Sequence, residues 1–249
     1  MIGAAALAVA LAAAGAHAQP ARLSLAASPT HVRLVPGGRQ LVHVTTPGGR
    51  PLVVEARIAG YALDLLGRPR ITRPGDAAPW IAVTPSRITV GRSGAEFTVT
   101  ARRPLHARPG DHTAVVLLSA LVPSARGVVV RMRIGLTLVM RIAGRVVHRV
   151  TVLGARLRRA GSSRSLELAL ANRGNVTESI GGGRLRVAIL RRNRVVARLG
   201  IARRELLPGT RGLVRLRLGA DRHGPAVVQV KLQRAARSGW VERRFRLRL

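Results

Sequence analysis

The segment Val128–Ile142 reads VVVRMRIGLTLVMRI, and its parity decides the fold. It is rich in β-branched and other apolar residues, lacks proline, and carries arginine only at Arg131, Arg133 and Arg141. Taken two residues at a time, Val130, Met132, Ile134, Leu136, Leu138 and Met140 fall on one face. Val129, Arg131, Arg133, Gly135, Thr137 and Val139 fall on the other. Side chains alternate across a strand, so this is a long strand with one apolar and one mixed face, and it does not fit an amphipathic helix. At about 3.3 Å per residue it would run roughly 50 Å, which makes Gly135 the expected point of a bend.

Turn signals surround this strand on both sides. Upstream, Leu23–Leu34, Gln40–Thr45, Leu52–Ile58, Trp80–Val83, Ile88–Val90, Glu96–Ala101 and Thr113–Leu121 read as strands. They are separated by Pro36-Gly37-Gly38, by Pro47-Gly48-Gly49, by a turn-rich stretch at 59–79 that suits a loop or short edge strands, and by Pro104–Asp111. Pro123-Ser124-Ala125-Arg126-Gly127 turns the chain into the long strand. Beyond Gly144 the pattern resets, with strands expected at Val150–Leu157, Ser165–Ala171, Arg184–Leu190, Val195–Ile201, Gly212–Leu218, Val227–Leu232 and Val241–Leu249. Gly181-Gly182-Gly183 reads as a turn, and Arg191-Arg192-Asn193-Arg194 as a hairpin tip. Short strands at this spacing, with no helical period, predict an all-β chain of two tandem immunoglobulin-like β-sandwiches. The expected division is a signal peptide at 1–18, a first sandwich at 19–143 and a second, strongly basic one at 144–249.

At 249 residues there is room for about two cores. Hydrophobic residues make up 47% but aromatics only 2%, so the cores must be built from Val, Leu, Ile and Ala. Cysteine is absent, which excludes disulfides, thiolate metal sites, cysteine nucleophiles and lipid attachment at a cysteine. The opening MIGAAALAVALAAAGAHAQP has an apolar run at Ala4–Ala14 and small residues at Ala16-His17-Ala18, the pattern of a cleaved secretory signal. That run is too short and alanine-rich to span a bilayer, and no later segment is long enough, so the mature chain is expected outside the cytoplasm without a transmembrane segment.

The formal net charge is +33, from 43 basic and 10 acidic residues, and Lys231 is the single lysine. Residues 1–143 carry a net +12 and residues 144–249 a net +21. Arginine at the expense of lysine, with much Ala, Gly, Val and Pro, is what a GC-rich coding sequence yields without selection for binding. The resulting field attracts polyanions whatever its origin. Arginines alternate with apolar residues in Arg184-Leu185-Arg186 and in Arg244-Phe245-Arg246-Leu247-Arg248, so a guanidinium-studded sheet face is expected there. It is either a plain solvated face or an anion-binding one; Arg131, Arg133, Arg184, Arg186, Arg244, Arg246 and Arg248 are the candidates.

No catalytic, metal or cofactor constellation is visible. The histidines at 17, 31, 43, 106, 112, 148 and 223 lack metal-ligand spacing, and the approach of His106 and His112 around a Pro-Gly turn is read as chance. There is no nucleophile elbow and no phosphate-cradling glycine loop opening a helix. Asn175-Val176-Thr177 matches a glycosylation acceptor, a triplet common by chance. Trp80 reads as a core or sheet-edge anchor. Two Phe, one Tyr and two Trp are too few for base stacking, so specific nucleic-acid binding is not expected. The chain reads as a non-enzyme.

The first half resembles the amino-terminal domain of PapD-like periplasmic pilus chaperones and related bacterial immunoglobulin-like surface domains. The resemblance covers about residues 23–142. It rests on Pro29 followed by Leu34-Val35-Pro36-Gly37, on Trp80-Ile81-Ala82-Val83-Thr84-Pro85, on Arg103-Pro104…Pro109-Gly110-Asp111, and on the hairpin into Arg131–Ile142. The second half is only generically immunoglobulin-like, through Leu168–Asn175. The resemblance implies that the last long strand of the first domain lends alternate hydrophobics to an incomplete subunit by strand addition. Val130, Met132, Ile134, Leu136 and Leu138 would take that part, with envelope or surface protein subunits as partners. The family anchors its client's terminal carboxylate with a basic pair that includes a lysine in this strand; here Gly135 stands at that place. The alternative is a surface module binding cell-wall or other polyanions, with no chaperone role.

Overall fold

The computed structural model describes residues 24–46, 51–123, 129–161, 163–219, 224–233 and 239–249. The expected signal peptide, the turn at 47–49 and residues 124–128 of the turn before the long strand lie outside the described residues.

The described residues are all-β, apart from one 3-10 turn at Ala78–Trp80. Its first part forms β1 (Ala26–Ser28), β2 (His31–Leu34), β3 (Arg39–Thr45), β4 (Leu52–Leu63), β5 (Pro69–Thr72), β6 (Ile81–Thr84), β7 (Arg87–Val90), β8 (Ala95–Ala101), β9 (Gly110–Pro123) and β10 (Val129–Ile142). One sheet runs β1-β3-β8-β6. The facing sheet runs β2-β10-β9-β4, with β5 and β7 meeting successive parts of β4. Between them lies a core that includes Val42, Val54, Phe97, Val99, Leu118 and Leu138.

The single strand expected over Leu23–Leu34 is two. Ala26–Ser28 pairs with β3, whereas His31–Leu34 pairs in parallel with β10 in the other sheet. Proline has no N–H to donate to a ladder, so Pro29 is where the chain leaves one sheet for the other. The stretch 59–79 holds the end of β4, the edge strand β5 and the 3-10 turn.

The second part forms β11 (Val150–Ala160), β12 (Ser163–Asn172), β13 (Glu178–Ile180), β14 (Leu185–Arg191), β15 (Arg194–Leu199), β16 (Arg204–Leu206), β17 (Arg211–Leu218), β18 (Pro225–Gln233) and β19 (Trp240–Arg248). These pair as β11-β12-β17, β15-β14-β18-β19 and the short β13-β16 ribbon. A separate core contains Leu166, Leu168, Leu170, Ile189, Val228 and Val230. Seven of these strands carry the expected pattern; three-residue β13 and β16 are too short to show one. The Gly181–Gly183 turn has positive φ at all three positions, and the hairpin tip has it at Arg192 and Asn193.

The two parts are joined through Asp111. Its backbone N–H donates to the Asn175 carbonyl at 2.8 Å, and its carboxylate accepts from Arg141 at 2.6 and 2.9 Å and from the Thr177 N–H at 2.8 Å. Asn175 in turn donates to the carbonyls of Pro109 and Arg145. A Cβ on Gly110 would lie 2.2 Å from the Asn175 carbonyl oxygen, and its φ is +130°, so glycine is required there. At a second contact the Leu213 N–H donates to the Leu65 carbonyl at 2.6 Å.

A further buried carboxylate, Glu167, sits between neighbouring strands, accepting from Arg156 at 2.8 Å and Arg215 at 2.6 Å. Burial pushes both carboxyls up. The Arg141 guanidinium and Thr177 N–H at Asp111, and Arg215 and Arg156 at Glu167, outweigh it and hold each below its ordinary value.

Carboxyls depressed in the folded state contribute stability that is complete above their unfolded values, about 4, and is lost as pH falls through the folded ones. Thermal stability is therefore expected to be flat from about pH 7 to 5 and to fall below about 4. Asp111→Asn should cost about 1–3 kcal/mol at neutral pH and flatten that acid limb. A variant as stable as the parent would show the Asp111 contacts to be dispensable. In the first core, Leu138→Ala should cost about 2–5 kcal/mol by denaturant unfolding.

Candidate strand-addition edge

β10 pairs with β9 antiparallel over its whole length, from Val129 opposite Pro123 to Ile142 opposite Gly110, and the register passes Gly135 unbroken. On its other side β10 pairs with β2 only from Thr137 to Met140. Among the described residues, Val129–Leu136 have no strand on that side. The Thr137 N–H donates toward β2, to the Thr30 carbonyl at 2.9 Å. Backbone groups of successive strand residues point to opposite sides, so Arg131, Arg133 and Gly135 present their N–H and C=O groups along the open edge. That is a template for an incoming strand.

Burial of the core-facing side chains is graded along this strand. Leu136, Leu138 and Met140 are fully buried at 0%, 1% and 0% exposure. Ile134 and Met132 are half-buried against the first core, and Val130 is 47% exposed. Of the five residues expected to be lent to a partner, Leu136 and Leu138 thus belong to this chain's own core. Val130, Met132 and Ile134 stand beside the open edge. The cause is pairing: β10 outruns β2, and the uncovered half lacks the neighbour that would finish burying its inner face.

The opposite, outward face of this sheet is basic. Arg131 and Arg133 line a cavity of about 310 Å³ together with Val53, Glu55, Arg57 and Arg87. Sequence reasoning selected the first two arginines and missed Arg57 and Arg87. The Val53-Glu55-Arg57 alternation opposite Leu52, Val54 and Ala56 was available as a signal. Arg87 reaches the site only because β7 pairs with β4, which sets it opposite Glu55.

The other candidate arginines are not part of this site. Arg186 lies opposite Lys231, Arg244 opposite Gln229, Arg246 opposite Val227 and Arg248 opposite Pro225, which places all four on the outward face of the β15-β14-β18-β19 sheet. The Arg186 guanidinium stacks over the Trp240 ring at 4.5 Å, and Arg244 donates to Glu242 at 2.6 Å. Hydrogen bonds from Gln229 and Arg244 lower the Glu242 carboxyl to about 2. Arg184 precedes that strand and donates to buried Glu178 at 2.7 Å and to the Ser179 carbonyl at 3.0 Å, an internal contact rather than a free cation.

Among the described residues no group of three or more His or acidic side chains is placed to hold a metal ion, and no helix is long and apolar enough to cross a membrane. His112 hydrogen-bonds Asp76 at 2.6 Å and meets Trp80 edge-on with ring centroids 5.0 Å apart, as part of the packing around the 3-10 turn.

No protein-family model and no curated protein matches the sequence. Solved structures do match the fold. The class 5 fimbriae chaperone CfaA aligns with a TM-score of 0.51 at 10% identity, over 89% of this chain and 98% of its own. A chain of the chaperone–tip adhesin complex of CFA/I fimbriae biogenesis aligns with the same score, identity and coverage. At that identity the likeness is one of fold: the chain has the all-β, two-domain immunoglobulin-like architecture of these two structures.

Proposed function

We propose that the protein is an exported, non-enzymatic chaperone-like binding protein that captures subunits of an envelope or surface structure by strand addition at β10. The observation that carries this reading is the open backbone edge of Val129–Leu136 beside exposed Val130 and partly buried Met132 and Ile134. An extended partner segment would hydrogen-bond Arg131, Arg133 and Gly135 and complete the inner face that β2 leaves uncovered. The shared fold, in a complex that contains a tip adhesin, supports the same reading. We take residues 1–18 as the export signal, 19–143 as the unit that carries the edge and 144–249 as the second unit; the two separate cores support the division between the last two. Work outside the cytoplasm rests on the signal-like opening of the sequence, with its apolar run at Ala4–Ala14 and small residues at Ala16-His17-Ala18.

The test separates the edge from the core. Val130→Asp changes an exposed side chain, so the free protein should keep its stability within about 0.5 kcal/mol. Gly135→Pro removes an open-edge N–H, whereas in Gly135→Ala the new Cβ would lie 3.4 Å from Val115 Cγ2, an ordinary contact. Pull-down of envelope proteins from the native host should recover subunits with the parent and with Gly135→Ala, and lose them with Val130→Asp and Gly135→Pro. Leu136→Asp should instead unfold the first unit, because it places a carboxylate in a closed core. Capture that survives both edge variants would defeat strand addition at β10.

A further inference from the structure

Arg131 and Arg133 lie on the outward face of the open half of β10, both exposed, and among the described residues neither has a hydrogen bond or ion pair. Across the sheet, Arg133 stands opposite Ser119, Ser119 opposite Glu55, and Glu55 opposite Arg87. Glu55 is the only carboxylate lining the cavity there, and Arg57 and Arg87 approach it at 3.8 and 3.9 Å. Of the four guanidinium groups lining this cavity, two thus pair with its one carboxylate, and the two nearest the open edge have no carboxylate partner among the described residues.

A strand added to that edge has its own outward side chains in the layer of Arg131 and Arg133, where directly opposite residues sit about 5 Å apart at Cβ. We propose that the partner segment is an acidic amphipathic strand, with apolar residues facing inward beside Val130, Met132 and Ile134, and carboxylates at the alternate, outward positions. This rests on the strand-addition reading and names the chemistry of its client.

A second copy of this chain does not fit the edge. Pairing two β10 edges brings arginine toward arginine, and like charges directly opposite are destabilising. None of the described strands carries carboxylates at alternate positions, so this chain does not supply the complementary segment itself. The arginines thus act in both directions, against self-association along an exposed edge and toward an acidic partner.

The probes are synthetic peptides as long as the open segment Val129–Leu136, alternating Ile with Glu, Ile with Gln or Ile with Lys, plus a scrambled Ile/Glu peptide of the same composition. Binding to the full mature chain is read by fluorescence anisotropy at low and moderate salt. The alternating Ile/Glu peptide should bind tightest and weaken with salt. The double variant Arg131→Gln, Arg133→Gln should lower its affinity roughly three- to tenfold and leave the Ile/Gln peptide unchanged. If Ile/Glu and Ile/Gln bind alike, and both are lost in Val130→Asp, strand addition stands and the acidic specificity is overturned. Equal binding of the scrambled peptide would mean that charge alone attracts it, and overturns the proposal too. If no peptide binds, or if Val130→Asp and Gly135→Pro bind all of them as the parent does, strand addition at β10 fails and the inference falls with it.

Discussion

β10 is hydrogen-bonded along one side from Val129 to Ile142 and along the other only from Thr137 to Met140. Backbone N–H and C=O groups must find partners, in protein or in water, so the remaining half of that second side is left to solvent or to another chain. The rest of the site follows from this mismatch in length. Where β2 lies alongside, the inner side chains of β10 are sealed into the core; where it stops, burial declines step by step to half-exposed Val130. The same parity that aims Met132 and Ile134 inward aims Arg131 and Arg133 outward. Edge, apolar row and basic row are therefore one feature seen from three sides.

The strand character of residues 128–142 was legible because a period of two is a local property. How deeply each inner residue would be buried was not. Leu136 and Val130 look alike in the sequence, yet Leu136, next to the segment that pairs with distant His31–Leu34, is closed into the core, and Val130, farther along the open edge, is not. The switch of sheets at Pro29 was missed although the parity carries it: Leu25 and Ala27 are odd-numbered whereas Val32 and Leu34 are even-numbered, so the apolar phase slips across the proline. Arg184 was selected by its alternation with Leu185, yet its partner Glu178 arrives from the three-residue β13, which is too short to leave a pattern. Local periodicity finds elements. Long-range pairing decides which of their residues are free.

The surplus of arginine can be read through the few carboxylates. Asp64 accepts from the Leu66 and Arg68 N–H groups within a turn, and Asp76 binds His112 and the Thr113 N–H beside the 3-10 turn. Asp111 joins the two parts, Glu167 ties three strands of one sheet, Glu178 receives His148 and Arg184, and Glu242 receives Arg244 and Gln229. Six of the ten acids are thus held at structural contacts and are not available to neutralise cations elsewhere. A coding bias toward arginine raises the number of cations throughout the chain, and it does not determine which of them stay unpaired. That is set by where the carboxylates are fixed and by which sheet edges remain open. Composition is a poor guide to partners here for that reason, whereas the position of Arg131 and Arg133 on a half-covered strand is a specific one.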